Sequence, residues 1–251
     1  MQSLKNKTII VTGASRGIGS ALSRALARSG VNLILNARNN SPLAEVAGEC
    51  EKHGVSIHYV AGNAAHPEIA SELVDSAIGA GSFCGFIHAA GVLRPGPFLY
   101  ELPQEEFHEV IDASVTAGYE LIRAAVPQLR RQGEGLAVFF GSGAAEINTP
   151  GIGAYCIAKA AEEHLARQLA AEAPEITTLI YRPGVVATRM QEQARGAEGG
   201  AAEVVREKFR GFKDRGELIT PEQTAKALLT ILSNNPRRFH GKIATWRDGT
   251  R

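Results

Sequence analysis

The sequence predicts a doubly wound α/β fold, a parallel sheet of about seven strands with helices on both faces. Short apolar runs alternate with longer helical segments along the whole chain, as in repeated βα units. Most of these runs are nearly continuous, which is typical of strands that are buried on both faces. No repeat, linker or break in composition divides the 251 residues, so we expect one domain over 1–251.

Apolar runs and turn residues place the elements in order. Strands are expected at 8–12, 31–37, 55–60, 83–89, 136–140, 177–181 and 242–246. Helices are expected from 13 to 29, from 41 to 53, after 67, from 103 toward 131, from 154 onward and from 221 to 233. Ser41 and Pro42 are typical of an N-cap and a first helical position, and Pro127 is where the long helix would bend.

Composition excludes several classes of protein. The chain is 44% hydrophobic and 21% charged, with a formal net charge of +1. A net charge this small gives no electrostatic field that would attract nucleic acid or an anionic membrane. Its three cysteines lack CxxC spacing, which favours a reducing compartment without disulfides, and no metal site is expected. No apolar run reaches the ~18 residues of a membrane span and no signal peptide is recognisable, so we expect a cytoplasmic protein.

The stretch from Gly141 to Lys159 carries the parts of a proton-delivery site. Ser142 stands at the end of a buried strand, and Tyr155 and Lys159 are four residues apart on one face of the next helix. A free tyrosine has a pKa of about 10 and is a poor acid near neutrality. An ammonium ~4 Å from the phenol, at an effective dielectric of ~20, would favour phenolate by roughly 4 kcal/mol, with desolvation opposing part of this. Ser142 would hydrogen-bond the same substrate oxygen.

Each of these residues also has a simpler interpretation. A Tyr and a Lys four apart are usually exposed neighbours on a helix, and a Ser between two glycines is most often a turn residue. The chemical interpretation therefore requires a nucleotide site elsewhere in the chain.

The first βα turn supplies such a site. Gly13, Gly17 and Gly19 stand where the first strand passes into a helix. Glycines there permit a tight turn and close backbone approach to a pyrophosphate at the helix N-terminus. The spacing is G-x3-G-x-G and not the generic G-x-G-x-x-G, so a purely structural turn is the alternative.

The end of the second strand bears on which dinucleotide binds. NAD sites usually place an acidic residue there for the ribose 2′-hydroxyl, and this chain has no carboxylate before Glu45. Arg38 and Arg16 would instead converge on the 2′-phosphate of NADP. The alternative is that Arg38 is an ordinary exposed arginine. We expect NADP(H) as the cofactor.

Together these motifs resemble the short-chain dehydrogenase/reductase family over nearly the whole chain. The resemblance rests on Thr12-Gly13-x3-Gly17-x-Gly19, Ser142, Tyr155-x3-Lys159 and Pro183-Gly184-x3-Thr188. It implies a Rossmann-type fold in which Ser142 and Tyr155 bind the substrate oxygen, Tyr155 transfers the proton, and Lys159 activates the tyrosine and holds the nicotinamide ribose. The cofactor residues that it implies are Gly13, Ser15, Arg16, Gly17, Ile18, Gly19, Arg38, Asn63, Ala90, Gly91, Tyr155, Lys159, Pro183, Gly184, Val186 and Thr188.

Several positions depart from the family pattern. Ser114, which we include among the catalytic residues, stands where the family usually has an asparagine that completes a catalytic tetrad through a water. His88 and Ala89 replace two asparagines after the fourth strand, and His88 is either a hydrogen-bonding group of the pocket or a structural histidine. Asn63 replaces an aspartate that contacts adenine, and its amide still offers an acceptor and a donor.

Within the family, the segments that begin at Tyr155, Arg182 and Phe212 resemble the branch of sepiapterin and benzil reductases. Members of that branch reduce carbonyls and vicinal dicarbonyls with NADPH. Thr245 stands where sepiapterin reductase has the carboxylate that anchors its pterin, so a pterin substrate would require Asp248 in that role.

The Gly- and Ala-rich segment 188–217 is expected to form a mobile lid over the substrate, with a solvent-exposed helical insertion as the alternative. We predict an NADPH-dependent carbonyl reductase that reduces a ketone, diketone or aldehyde, with Tyr155 as proton donor. The alternatives are an alcohol dehydrogenase or oxoacyl-carrier reductase of the same family, and a redox sensor that binds NADP(H) without turnover.

The family commonly assembles as dimers or tetramers, which predicts a homodimer or homotetramer here. The long helix and the catalytic helix would supply the contact faces, with intrachain core as the alternative for the same positions. The candidate positions are Leu121, Ala124, Ala125, Ala158, Ala161 and Leu165.

Overall fold

The computed structural model describes residues 4–250 and contains a seven-stranded parallel sheet in the order β3-β2-β1-β4-β5-β6-β7. The strands are β1 (Thr8–Thr12), β2 (Asn32–Ala37), β3 (Ile57–Ala61), β4 (Phe83–His88), β5 (Gly135–Phe140), β6 (Ile176–Arg182) and β7 (Ile243–Thr245). The helices are α1 (Gly17–Arg28), α2 (Asn40–Glu51), α3 (Pro67–Gly79), α4 (Gln104–Ile111), α5 (Ala117–Gln132), α6 (Gly153–Glu172), α7 (Arg189–Arg195), α8 (Ala202–Asp214) and α9 (Pro221–Ser233). The predicted α/β fold is confirmed.

Strand order changes direction beside β1, and this is where parallel α/β sheets bind ligands. Thr12 at the end of β1 pairs with Asn36 on one side and with His88 on the other. The register therefore brings the carboxyl ends of β1, β2 and β4 to one edge of the sheet, and the loops that follow them share that edge.

Alternate residues of the central strands serve two cores on opposite faces of the sheet. Ile9 and Leu33 pack in a core with α1, α2 and α9, whereas Ile10 and Ile34 pack in a core with α3, α5 and α6. Both cores are fully buried, so the sheet is covered on both sides as its apolar strands require.

The long helix predicted from 103 toward 131 is interrupted by a π-helical turn, Asp112–Thr116, between α4 and α5. Pro127, where a bend was predicted, lies inside α5. The prediction of Ser41 as an N-cap was wrong, because α2 begins at Asn40. A proline costs little anywhere in the first helical turn, where backbone N–H groups have no intrahelical partner, so Pro42 does not fix the start to one residue.

Three of the predicted subunit contacts belong to the interior of the chain. Leu121, Ala125 and Ala158 are completely buried in intrachain cores. Leu121 and Ala125 lie in the core between α5 and the sheet, whereas Ala158 packs against Val110 of α4. The large apolar side chains that these two helices expose are instead Tyr119 and Ile157.

Within residues 4–250, no helix combines the length and apolarity needed to cross a bilayer, and no cluster of side chains is suited to hold a metal ion. All three cysteines are free thiols, and burial raises the pKa of Cys50 to about 11.

Candidate active site

One cavity of about 860 Å³ lies at the carboxyl ends of the strands. Its lining includes Ser142, Tyr155, Lys159 and every residue that the sequence assigned to cofactor binding. Ser114 is the exception among the predicted site residues, because it is completely buried and does not line the cavity. The sequence motifs therefore meet in one place although they are spread over 176 positions, from Gly13 to Thr188.

The glycines of the first βα turn form a cradle that other residues would fill. Gly13 has a φ of +69°, and a Cβ there would lie 2.8 Å from backbone atoms of Ala89 and Ala90. A Cβ on Gly19 would lie 2.1 Å from the carbonyl oxygen of Gly13. The turn leads into α1 at Gly17, and the first residues of the helix line the cavity, so the helix N-terminus lies at its edge. This cradle fits the pyrophosphate of a dinucleotide.

At the edge formed by β2 and β3, side-chain amides hold the backbone in place. Asn36 donates hydrogen bonds to the carbonyl oxygens of Val60 at 2.9 Å and Gly62 at 3.2 Å. Asn63 accepts one from the backbone N–H of Ala65 at 3.2 Å. Asn36 was not among the predicted site residues, and its amide fixes the loop that carries Asn63.

Arg38 lines the same part of the cavity, but it is not an isolated exposed arginine. Its Nη1 lies 2.5 Å from Oε1 of Glu109 on α4. Glu109 also accepts a hydrogen bond from Nε of Arg94 at 2.7 Å. Partial burial works to raise the pKa of Glu109, but the two guanidinium groups outweigh it and hold that pKa below its ordinary value. A phosphate at this edge would share Arg38 with a carboxylate.

Three of the four predicted catalytic side chains approach the cavity from two elements. Ser142 follows β5, and its Oγ accepts a hydrogen bond from the backbone N–H of Ala144 at 3.1 Å. Tyr155 stands in the first turn of α6, partly exposed to the cavity. Lys159 follows one turn later, with Nζ 5.7 Å from the centroid of the Tyr155 ring. This arrangement places a hydroxyl, a phenol and an ammonium around one space.

The ammonium of Lys159 is buried and compensated. Nζ donates hydrogen bonds to the carbonyl oxygen of Phe140 at 2.9 Å and to Oε2 of Glu162 at 2.6 Å. Burial works to lower the pKa of Lys159, but the charge of Glu162 and the nearby phenol outweigh it and raise that pKa. Lys159 therefore stays protonated, with the carboxyl group of Glu162 directly behind it.

Glu163, the next residue, organises the end of β5. Its Oε1 accepts hydrogen bonds from the backbone N–H of Ser142 at 3.2 Å and from Nε of Arg182 at 2.8 Å. None of Glu162, Glu163 and Arg182 was predicted from the sequence as a site residue. A signal was available, because two acidic residues stand three and four positions after Lys159, on the helix face that carries Tyr155 and Lys159.

His88 proves to be a structural residue. It is completely buried, its Nδ1 lies 2.8 Å from Oγ1 of Thr12, and its Nε2 lies 3.0 Å from the carbonyl oxygen of Ser114. Burial, with a contribution from the charge of Lys159, lowers the pKa of His88 to about 3, so its ring is neutral at physiological pH. The ring tethers the π-helical turn to the sheet.

The segment 188–217 forms α7 and α8 beside the cavity. Val205 is completely buried, and Lys208 donates a hydrogen bond to Oγ1 of Thr149 at 2.8 Å. Phe209 and Phe212 line the cavity from this segment. Farther along the chain, the carboxylate of Asp248 accepts hydrogen bonds from the backbone N–H and the hydroxyl of Thr245, each at 2.7 Å.

Comparison with known proteins places this geometry among oxidoreductases. Residues 7–199 match the family model described as short chain dehydrogenase. An uncharacterized oxidoreductase of Schizosaccharomyces pombe is 31% identical over 98% of this chain and 99% of its own length. The crystal structure of a short chain dehydrogenase/reductase from Saccharomyces cerevisiae has a TM-score of 0.85 and 28% identity, covering 96% of both chains. An alcohol dehydrogenase from the archaeon Thermococcus sibiricus, complexed with 5-hydroxy-NADP, has a TM-score of 0.78 and 29% identity, covering 95% of both chains.

Proposed function

The chain belongs to the short-chain dehydrogenase family, and from this membership we propose that it is an NADPH-dependent carbonyl reductase acting on a ketone, diketone or aldehyde. The observation that carries the proposal is the convergence of Ser142, Tyr155 and Lys159 on a cavity that also contains the glycine cradle. A cavity that only bound a nucleotide would not need a phenol and a buried ammonium side by side.

In this mechanism the chain supplies the proton and the electrostatic environment. The hydroxyls of Ser142 and Tyr155 would hydrogen-bond the carbonyl oxygen, and Tyr155 would give it a proton as negative charge develops there. Lys159 would stabilise the resulting phenolate, since its ammonium lies beside the ring. Bound NADPH would supply the hydride that the carbonyl carbon receives.

The proposed cofactor is NADP(H) and not NAD(H). Arg16 and Arg38 line the cavity beside β2, where a 2′-phosphate would lie, and β2 ends without a carboxylate. The archaeal alcohol dehydrogenase that shares this fold was crystallised with an NADP derivative, which supports the same choice. The predicted resemblance to sepiapterin and benzil reductases suggests vicinal diketones as first substrates.

Oxidation of NADPH and NADH by the purified protein, with a panel of diketones, aldehydes and quinones, tests the proposal. We expect turnover with a strong preference for NADPH. Tyr155→Phe should lower kcat by roughly 10³-fold or more while the Kd for NADPH stays near that of the wild type, because only the proton donor is removed. Turnover that survives in Tyr155→Phe would contradict the assigned role.

The second candidate is a redox sensor that binds NADP(H) without turnover. The observation that favours it is Ser114, which has a short hydroxyl where the family usually has an asparagine. A sensor would bind NADPH in titration calorimetry yet reduce nothing in the panel, and Tyr155→Phe would then change nothing measurable. An alcohol dehydrogenase of the same family would instead show faster oxidation of alcohols with NADP⁺.

We also propose a domain organisation, a location and an oligomeric state for the protein. Residues 1–251 would form one domain in which 188–217 closes over the substrate, and the protein would work in the cytoplasm. Tyr119 and Ile157 are the exposed apolar side chains that α5 and α6 offer to a second copy. Size-exclusion chromatography with light scattering should give a dimer or tetramer, and a clean monomer would contradict that expectation.

A further inference from the structure

A buried carboxyl group lies directly behind Lys159. The side chains of Lys159 and Glu162 are 4% and 0% exposed, and Nζ lies 2.6 Å from Oε2. The other oxygen of Glu162, Oε1, has no hydrogen-bond partner among residues 4–250. The carboxyl is thus bonded on one side to the ammonium that lies beside Tyr155, and its second oxygen is buried without a partner in the described residues.

Ser114 stands close to this ion pair. It lies in the middle of the π-helical turn, a feature that is frequent at functional sites. A Cβ on Gly91, which lines the cavity, would be 3.5 Å from Nζ of Lys159 and 3.8 Å from Oγ of Ser114, so both polar atoms lie near this glycine. Ser114 Oγ is also buried without a hydrogen-bond partner in the part of the chain that the structure describes.

The surroundings of Glu162 bring its titration into the neutral range. Burial raises the pKa of Glu162 to about 7. The charge of Glu163 adds to this increase, whereas the Lys159 ammonium and the Ser114 hydroxyl oppose it. That hydroxyl is therefore near the carboxyl, but the two groups are not aligned in a hydrogen bond of ordinary geometry. His88, which packs against the same turn from β4, has a pKa of about 3 and does not titrate in the same range.

We propose that Glu162 and Ser114 form the inner end of a proton path that serves Tyr155 through Lys159, replacing the asparagine that the family usually has at position 114. The inference rests on the proposed function. During reduction, the phenol proton of Tyr155 goes to the substrate oxygen, and the phenolate takes a proton from the Lys159 ammonium. The Lys159 amine takes the carboxyl proton of Glu162, and the Glu162 carboxylate regains one from water by way of the Ser114 hydroxyl. One proton is consumed for each carbonyl reduced.

Glu162 is a positioning and relay residue, so its test is the shape of a pH profile. The wild type should lose kcat for reduction as pH rises through neutrality, because the carboxyl proton is then absent, and alcohol oxidation should show the opposite slope. In Glu162→Gln, kcat for reduction should fall roughly tenfold or more and this neutral inflection should disappear. Glu172→Gln is the matched control, since it makes the same change at an exposed position of α6 and should keep the wild-type profile.

A second readout needs neither substrate nor cofactor. Carboxyl carbon NMR of protein labelled at glutamate should show one group that titrates near neutrality in the wild type and is missing from Glu162→Gln. Ser114→Ala should move this titration to higher pH, because the hydroxyl that works to lower the pKa of Glu162 is removed.

The outcomes separate the two proposals. If Glu162→Gln is slower but keeps the wild-type pH profile, the carboxyl is merely structural and the relay is overturned while the reductase stands. The relay is also overturned if Glu162 titrates near 4.5, or if Ser114→Ala leaves the titration of Glu162 unchanged. If the wild type reduces no carbonyl, the proposed function fails, and the relay fails with it.

Discussion

The two ends of the cavity hold their cations in different ways. At the edge beside β2, the side chain of Arg38 is 52% exposed. It shares the carboxylate of Glu109 with Arg94, whose side chain is also partly exposed. At the end beside Tyr155, Lys159 and Glu162 form an ion pair away from water. Exposed pairs contribute about 0–1 kcal/mol and exchange partners easily, whereas removing one partner of a buried pair costs about 3–5 kcal/mol. The first end is therefore suited to exchange Glu109 for a phosphate, and the second to hold a charge in place.

Lys159→Met should produce the largest effect, because it leaves the Glu162 carboxyl buried without its cation. We expect the free energy of unfolding at pH 8 to fall by about 3–5 kcal/mol. At pH 5 the loss should be smaller, since the pKa of Glu162, raised by burial, keeps that carboxyl protonated there. Urea denaturation at both pH values measures this, and an equal loss at the two would contradict the buried-pair interpretation.

Gly19→Ala tests the backbone cradle at the other end. Its Cβ would lie 2.1 Å from the Gly13 carbonyl oxygen, so the turn must shift and NADPH binding should weaken at least about tenfold, or ~1.4 kcal/mol. Gly48→Ala is the matched control, because a Cβ at this helical glycine of α2 meets nothing within 4 Å. It should leave binding unchanged and stabilise the fold by up to ~1 kcal/mol. Titration calorimetry and thermal unfolding provide both values.

Glu162→Gln should change how stability depends on pH. Burial raises the folded-state pKa of Glu162 above its unfolded value, so the folded protein binds the extra proton between about 4.5 and 7. The stability that this group contributes is present below pH 4.5 and is lost as pH rises toward 7, by an amount on the order of 3 kcal/mol. The unfolding free energy of the wild type minus that of the variant should therefore decrease by this amount as pH rises from about 4.5 to 7. A constant difference would mean that the carboxyl titrates normally.

Glu109→Gln should have the smallest effect and sharpen the contrast between the two ends. Removing the carboxylate charge frees Arg38 and Arg94 for a phosphate, so the Kd for NADPH should fall roughly two- to fivefold. NADH lacks the 2′-phosphate and serves as the control ligand, whose Kd should not change. Weaker NADPH binding by this variant would show that Glu109 positions Arg38 and does not compete for it.

Much of this arrangement could be predicted because it is local. The alternation of apolar strands and helices predicted the seven-stranded sheet, and the four-residue step from Tyr155 to Lys159 placed both on one face of α6. The interruption of the long helix could not be predicted from proline positions. It lies at Asp112–Thr116 and not at Pro127, and Nε2 of His88 contacts its backbone from β4.

The sequence by itself determined the glycine cradle, the cavity edge and the identity of the proton donor candidates, because backbone conformation and helical spacing depend on near neighbours. Only the tertiary structure decided what surrounds the charges. Arg38 meets Glu109 across 71 positions, and Lys159 reaches back 19 positions to the carbonyl oxygen of Phe140. Ser114 approaches the same ion pair from a different element. The physical reason is that the pKa of a buried group depends on desolvation and on the few charges within reach, and packing alone sets both.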